Sequence, residues 1–311
     1  MILMKNILFL RPNLKKRLWG GTWLNPFYNQ EQSEEPIGEA WVVSGHKTGP
    51  STIKGGDFDG VAFDRFFAEN NDLFPDIESE SFPLLVKIID AKEDLSVQVH
   101  PDESYAKEHE SDRGKSESWY IWDAEENASL VLGHRAETKD ELKEKIQENQ
   151  YDDLLRKIEV KQDDFVYIPA GTLHAIGAGV RLVEVQVSSD LTYRVYDYER
   201  TDAEGNTRDL HVDKAIDVIN VPNDDIPVSN HRRDRMRSVL HNGDDFTLKR
   251  IRVSGKMLWK PVDKSYACIV IDGEGSIGGT AVSKGDGFVV LEKANKVSVK
   301  GQLTFLAAYV R

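Results

Sequence analysis

The 311-residue chain has a single cysteine, Cys268, so it can close no intrachain disulfide and build no thiolate-rich metal site. No apolar run approaches the ~20 residues that a membrane helix needs. The amino terminus, MILMKNILFLRP, has a short apolar stretch broken by Lys5. It lacks the long apolar core and small-residue cleavage site of a secretory signal. Positive charge is also scarce: 40 Lys and Arg stand against 53 Asp and Glu, a net charge of −13. Such a surface repels nucleic acid and anionic membranes. These absences describe a reducing, cytoplasmic protein with neither as a partner. An anionic ligand would have to be met by individually placed cations, because the overall field opposes it.

What is present is ordinary globular material, 40% hydrophobic and 30% charged, long enough for one large or two moderate domains. Short apolar runs separated by Gly, Pro, Asn and Asp dominate, among them Phe82–Ile89, Leu95–Val99, Trp119–Trp122, Phe165–Ile168 and Val180–Val187. That rhythm predicts many short strands in a sandwich or barrel. Helix signals are few. Thr138-Lys139-Asp140-Glu141 is a capping box, followed by Leu142 and Ile146, and then by Leu154, Leu155 and Ile158 after a break near 149–151. Asp213–Ile219 and Phe63–Glu69 read as two further helices. Residues 221–237 are polar and Pro-containing and read as a linker. The expected organisation is a domain over 1–236 with a helical insertion near 136–159, and a smaller all-β domain over 237–311. Turns are expected in the latter at Asp272-Gly273, Gly278-Gly279 and Gly285-Asp286-Gly287.

Three segments could carry chemistry. In Asp94–His100, strand alternation puts Ser96, Gln98 and His100 on one face and Leu95, Val97 and Val99 on the other. A solvated edge would also explain that polar face. Glu117 opens the next apolar run, where a carboxylate is usually just hydrated. In Pro169-Ala170-Gly171-Thr172-Leu173-His174 a strand stops, turns at Gly171 and returns with His174. This P-x-G-x-x-H spacing is the second half of the cupin metal motif. Most histidines are core or surface residues, but this turn context favours a ligand. Two imidazoles, a carboxylate and the Gln98 amide form an N/O set suited to Zn²⁺, and less selectively to Mn²⁺, Fe²⁺ or Co²⁺.

The cations suggest the ligand's sign. Lys87 lies in a strand apolar on both sides, where an ammonium must reach solvent or meet an anion. Lys115 shares a strand face with Glu117, and Arg194 sits among the aromatics of Tyr193–Tyr198. Each could be a plain salt-bridge partner. Together, on an acidic protein, they point to an oxyanion.

The ordered set Trp19-Gly20-Gly21, Gly38-Glu39-Ala40-Trp41, Ser44-Gly45-His46, Gln98-Val99-His100-Pro101-Asp102, Lys115-Ser116-Glu117 and Pro169–His174 resembles type I mannose-6-phosphate isomerases, in their short Bacillus-like form. The likeness runs from about residue 5 to the end. It implies a mainly β fold: a double-stranded β-helix (cupin) jelly roll with a small helical insertion, and a second, metal-free cupin-like domain. It implies a zinc-dependent aldose–ketose isomerase, with one Zn²⁺ per chain, acting on mannose 6-phosphate and fructose 6-phosphate through an enediolate. By motif match the ligands would be His100, Glu117 and His174. Gln98 falls where longer relatives supply an amide ligand, and Arg194 falls on the family's active-site arginine. One departure is Lys115-Ser116-Glu117, where the family usually has Lys-Pro-Glu.

The base stays open between metal-bound water, Glu184 and another carboxylate of the cup wall. Ser96, Lys87 and Lys115 are the expected holders of phosphate or hydroxyls, with the alternative that Lys115 only orients Glu117. A non-catalytic sugar-phosphate-binding cupin and a metal-dependent dioxygenase are the competing functions. A monomer is expected.

Overall fold

A computed structural model describes residues 6–29, 35–202, 204–232 and 236–311. The amino-terminal MILMK and residues 233–235 of the expected linker lie outside them. The described chain is mainly β, as the run pattern predicts, and its strands form three sheets. No helix among the described residues is long and apolar enough to cross a membrane.

The Leu84–Ala91 strand (LLVKIIDA) is buried at every position, and so is Ile37–Ser44. Strands this apolar need cover on both faces. They lie in a seven-stranded sheet with Asn13–Gly21, Val180–Val187, Glu117–Ala124, Asp164–Ile168 and Ser229–Asn230. Opposite stands a five-stranded sheet of Tyr193–Tyr196, Val97–Val99, His174–Ile176, Ser129–His134 and Leu155–Glu159. Ile89, Trp119, Ile121, Val180 and Leu182 of the first sheet pack against Leu130, Leu132 and Ile176 of the second. The functional side chains lie between these two sheets.

The third sheet holds the carboxy-terminal strands Arg237–Asn242, Thr247–Trp259, Tyr266–Ile277, Thr280–Ser283, Gly287–Val290 and Val297–Tyr309. It also takes in Ile7–Arg11, which pairs antiparallel with Gly287–Val290, and Thr52–Ile53 beyond it. One core joins Leu8, Leu10, Val86, Phe165, Leu248, Ala267 and Leu306 across sheets.

Several local expectations change. Thr138 caps the Lys139–Gln147 helix by accepting from the Glu141 N–H, and Glu141 accepts from the Glu137 N–H rather than from Thr138. A short helix follows at Tyr151–Leu154, but Leu155–Glu159 is a strand on Ser129–His134, not more helix. Sheet pairing overrides the helical spacing of Leu155 and Ile158 there. The other two expected helices form at Phe63–Glu69 and Val212–Val218, and two unexpected ones lie at Leu24–Asn29 and Glu103–His109. The expected linker contains Ser229–Asn230, paired on Asp164 and Phe165. Asp272-Gly273 is no turn: the Tyr266–Ile277 strand runs through it, with a register shift between Val270 and Asp272. Gly278-Gly279 does turn, with φ of 59° and 85° that glycine adopts without strain.

Candidate metal centre

Cross-strand register assembles the site. His174 pairs with Gln98, and Gln98 pairs in turn with Arg194. On the facing sheet, Glu184 lies between Lys87 and Trp119, and Gln186 lies beside Glu117. The Pro169–Leu173 turn returns the chain so that His174 opens its strand. His100 directly follows Val97–Val99, a shorter strand than the Asp94–His100 that the sequence predicts.

His100, Glu117 and His174 converge, with candidate ligand atoms all within 4.8 Å of one another. All three are buried. His174 Nε2 lies 3.3 Å from Glu117 Oε1, and His100 Nε2 lies 3.4 Å from Oε2. The Nδ1 of His100 is 2.8 Å from the Leu191 carbonyl, and that of His174 is 2.8 Å from the Thr172 carbonyl. A carbonyl can only accept, so each Nδ1 carries the proton and each Nε2 presents a lone pair to the centre.

The electrostatics agree. Burial, reinforced by Lys115, pushes His100 down to about 3. Burial also lowers His174. Burial alone would raise Glu117, but the Lys115 ammonium holds it well below the usual carboxylate range. Neutral imidazoles beside an ionised carboxylate are the protonation states a divalent ion requires. Glu117 Oε1 and His100 Nε2 have no hydrogen-bond partner, and Glu117 Oε2 meets only the Lys115 ammonium. Buried polar atoms are rarely left so, and a cation between them would satisfy both. The residues present fit a metal.

Gln98 joins the centre through its amide nitrogen, 3.4 Å from His174 Nε2, while its carbonyl accepts from Ser96 Oγ at 3.3 Å. Lys115 Nζ is 3.0 Å from Glu117 Oε2. Lys87 does meet an anion: Nζ is 2.8 Å from Glu184 Oε1, and Trp119 Nε1 donates to Oε2 at 3.1 Å. Burial opposes the Lys87 charge, but Glu184 and Glu39 outweigh it and raise its pKa.

Above the centre opens a cavity of about 470 Å³, with Ser96, Gln98, Lys87, Lys115 and Arg194 in its wall. Lys16, Arg17 and Arg208 bring its cations to six, against the three carboxylates Glu39, Glu184 and Asp190. The cavity is thus cationic on a protein of net charge −13. Arg194 makes no ion pair among the described residues. Its Nη1 donates to the Asp209 carbonyl at 2.8 Å, and its buried Nε has no partner. Every expected site residue therefore falls in one region.

Sequence reasoning missed five charged members of the wall: Lys16, Arg17, Glu39, Asp190 and Arg208. Glu39 carried a usable signal, a carboxylate inside an unbroken apolar strand, the same cue that singles out Lys87. Arg17 is held by it through two 3.0 Å contacts. Asp190 and Arg208 lie on loops, where no periodicity marks them.

The type I phosphomannose isomerase catalytic-domain family matches residues 7–132. A mannose-6-phosphate isomerase of Streptococcus mutans is 39% identical over 308 residues, 97% of this chain and 98% of the relative. The crystal structure of the mannose 6-phosphate isomerase from Bacillus subtilis superimposes with a TM-score of 0.91 at 36% identity, covering 98% of this chain and 100% of that one. A mannose 6-phosphate isomerase solved with zinc and yttrium shares the fold, with a TM-score of 0.76 at 14% identity over 99% of this chain and 100% of that one.

Proposed function

This chain belongs to the type I phosphomannose isomerases, and from that membership we propose that it interconverts mannose 6-phosphate and fructose 6-phosphate at a zinc centre held by His100, Glu117 and His174. The observation that carries the metal is the buried convergence of His100, Glu117 and His174, with His100 Nε2 and Glu117 Oε1 unpartnered, beneath a cation-lined cavity. One Zn²⁺ per chain is proposed, with Gln98 turning its amide oxygen inward as a fourth ligand. The fold reading is a double-stranded β-helix jelly roll, with a cupin-like carboxy-terminal unit that holds no metal. The enzyme is read as a cytoplasmic monomer, its substrate a small sugar phosphate.

Aldose–ketose isomerisation moves a proton between C2 and C1 and leaves negative charge on a sugar oxygen, as an enediolate. A bound zinc ion supplies Lewis-acid stabilisation of such charge. Arg194 shares it, since its guanidinium reaches the cavity without a carboxylate to neutralise it. Lys87, Ser96 and Lys115 hold the phosphate or sugar hydroxyls. Lys115 also steadies Glu117 from 3.0 Å. Glu184 and Asp190 reach the cavity and are available to carry the proton, whereas Arg17 and Trp41 occupy both oxygens of Glu39.

The test is a coupled assay for fructose 6-phosphate with and without chelator. Activity is expected to vanish on complete metal removal and to return with Zn²⁺. Activity that survives removal would overturn the metal's role. His174→Ala is expected to lose both metal and turnover, and a variant with normal metal content and rate would sink the ligand assignment. Binding of mannose 6-phosphate by calorimetry without any turnover would favour a non-catalytic cupin instead.

A further inference from the structure

We infer that Asp245, in a turn of the carboxy-terminal unit, is a positioning residue that holds Lys115 and Glu117 in register through the hydroxyl of Ser116. Ser116 is buried between those two residues, and its Oγ donates to Asp245 Oδ2. The carboxylate is saturated and cannot drift. Oδ2 also accepts from the Tyr167 hydroxyl at 2.7 Å. Oδ1 accepts from the Phe246 N–H at 2.7 Å and faces His241 Nε2 at 3.0 Å. The Tyr167 and His241 rings stack at 3.7 Å and 9°, so the groups flanking Asp245 brace each other.

Asp245 lies in the turn between the Arg237–Asn242 and Thr247–Trp259 strands. Ser116 lies just before the Glu117–Ala124 strand. Its backbone is tied too: the Lys115 N–H donates to Pro101 at 3.0 Å, and the Ser116 carbonyl accepts from Val187 at 3.1 Å. Alternation sends the Ser116 side chain away from Lys115 and Glu117. A pull on Ser116 therefore fixes the strand entrance from the side opposite the centre. Lys115 lines both the site cavity and the groove at Asp245, whereas neither Ser116 nor Asp245 reaches the site cavity. Their effect has to pass through Lys115 and Glu117.

The inference rests on the metal centre proposed above, and its test reads metal affinity separately from turnover. Zinc affinity would be measured by competition with a chromophoric chelator on the full-length protein. Ser116→Ala is expected to bind zinc about tenfold more weakly, as supports of metal ligands typically do, and to lose kcat with little change in KM. Ser116→Thr keeps the hydroxyl and is expected to restore both. Asp245→Ala takes the acceptor away from Ser116 and leaves residues 115–117 unaltered, so it is expected to weaken zinc to the same extent. Asp245→Asn added to Ser116→Ala should weaken zinc no further. Parent-like zinc affinity in Ser116→Ala, or in Asp245→Ala, overturns the role of Asp245. A parent protein that takes up no zinc overturns the metal centre and this inference together.

Discussion

Glu39 is a buried carboxylate between two cations, and its energetics set a prediction about acid. Burial alone would raise its pKa, but Lys87 and Arg17, with hydrogen bonds from Arg17 and Trp41, bring it from 4.5 to about 2. A carboxyl depressed in the folded state contributes stability above its unfolded value and loses that contribution as pH falls through the folded one. The window here is roughly pH 5 down to 2, and the shift corresponds to ~3 kcal/mol. Glu39→Gln is therefore expected to be less stable by about that amount at pH 7, with the difference closing towards pH 2. Urea unfolding at a series of pH values checks this, and parallel curves for the two proteins would refute it. The same residue shows what was legible. His174 could be read because a proline, a glycine and a histidine at fixed spacing describe one turn. Lys87 could be read because an ammonium in an apolar strand demands an anion. That the anion is Glu184, aligned on a neighbouring strand, is a fact of register that no local pattern holds. Arg17 and Asp190 reach the cavity only through tertiary folding.

At the scale of the element, strand approach explains motifs that composition leaves mute. Trp19-Gly20-Gly21 and Ile37-Gly38 cross so closely that a Cβ on Gly20 would sit 2.7 Å from the Gly38 Cα and 2.8 Å from the Ile37 carbonyl carbon. The obstacle is backbone, which cannot rotate away. Gly20→Ala is expected to cost ~1–3 kcal/mol, as overpacking typically does, and to widen the gap between the two strands that carry Arg17 and Glu39. Thermal unfolding gives the first number, and the rate on mannose 6-phosphate should fall with it. An unchanged midpoint would show that the strands separate freely. Elsewhere, elements were legible in proportion to how local their causes are. The Thr138 cap and the Leu142 and Ile146 stripe are contained in one stretch of chain, and that helix forms as expected. Leu155 and Ile158 carry the same spacing, yet Leu155–Glu159 pairs with Ser129–His134 instead. For so short a segment a waiting strand edge outweighs helix propensity, whose differences are a fraction of a kcal/mol per residue.

For the whole molecule, the third sheet decides whether the carboxy-terminal unit can stand alone. Residues 237–311 contain most of that sheet, and sequence alone suggests a separate domain. But Ile7–Arg11 completes it, pairing Ile7 with Val290 and Leu10 with Gly287. Leu8 and Leu10 then enter a core that also holds Val86 and Phe165 on one side and Leu248, Ala267 and Leu306 on the other. A fragment of 237–311 would leave the Gly287–Val290 strand without its Ile7–Arg11 partner and uncover that apolar face. Exposed edges and faces of this kind favour aggregation over folding. The fragment is expected to be insoluble, or to lack a cooperative transition, when expressed alone. Co-expression with 1–236 should recover soluble complex, because the missing strand is supplied in trans. The intact chain should unfold in urea with a single transition reported equally by fluorescence and circular dichroism. A fragment that folds cooperatively by itself would separate the two units energetically.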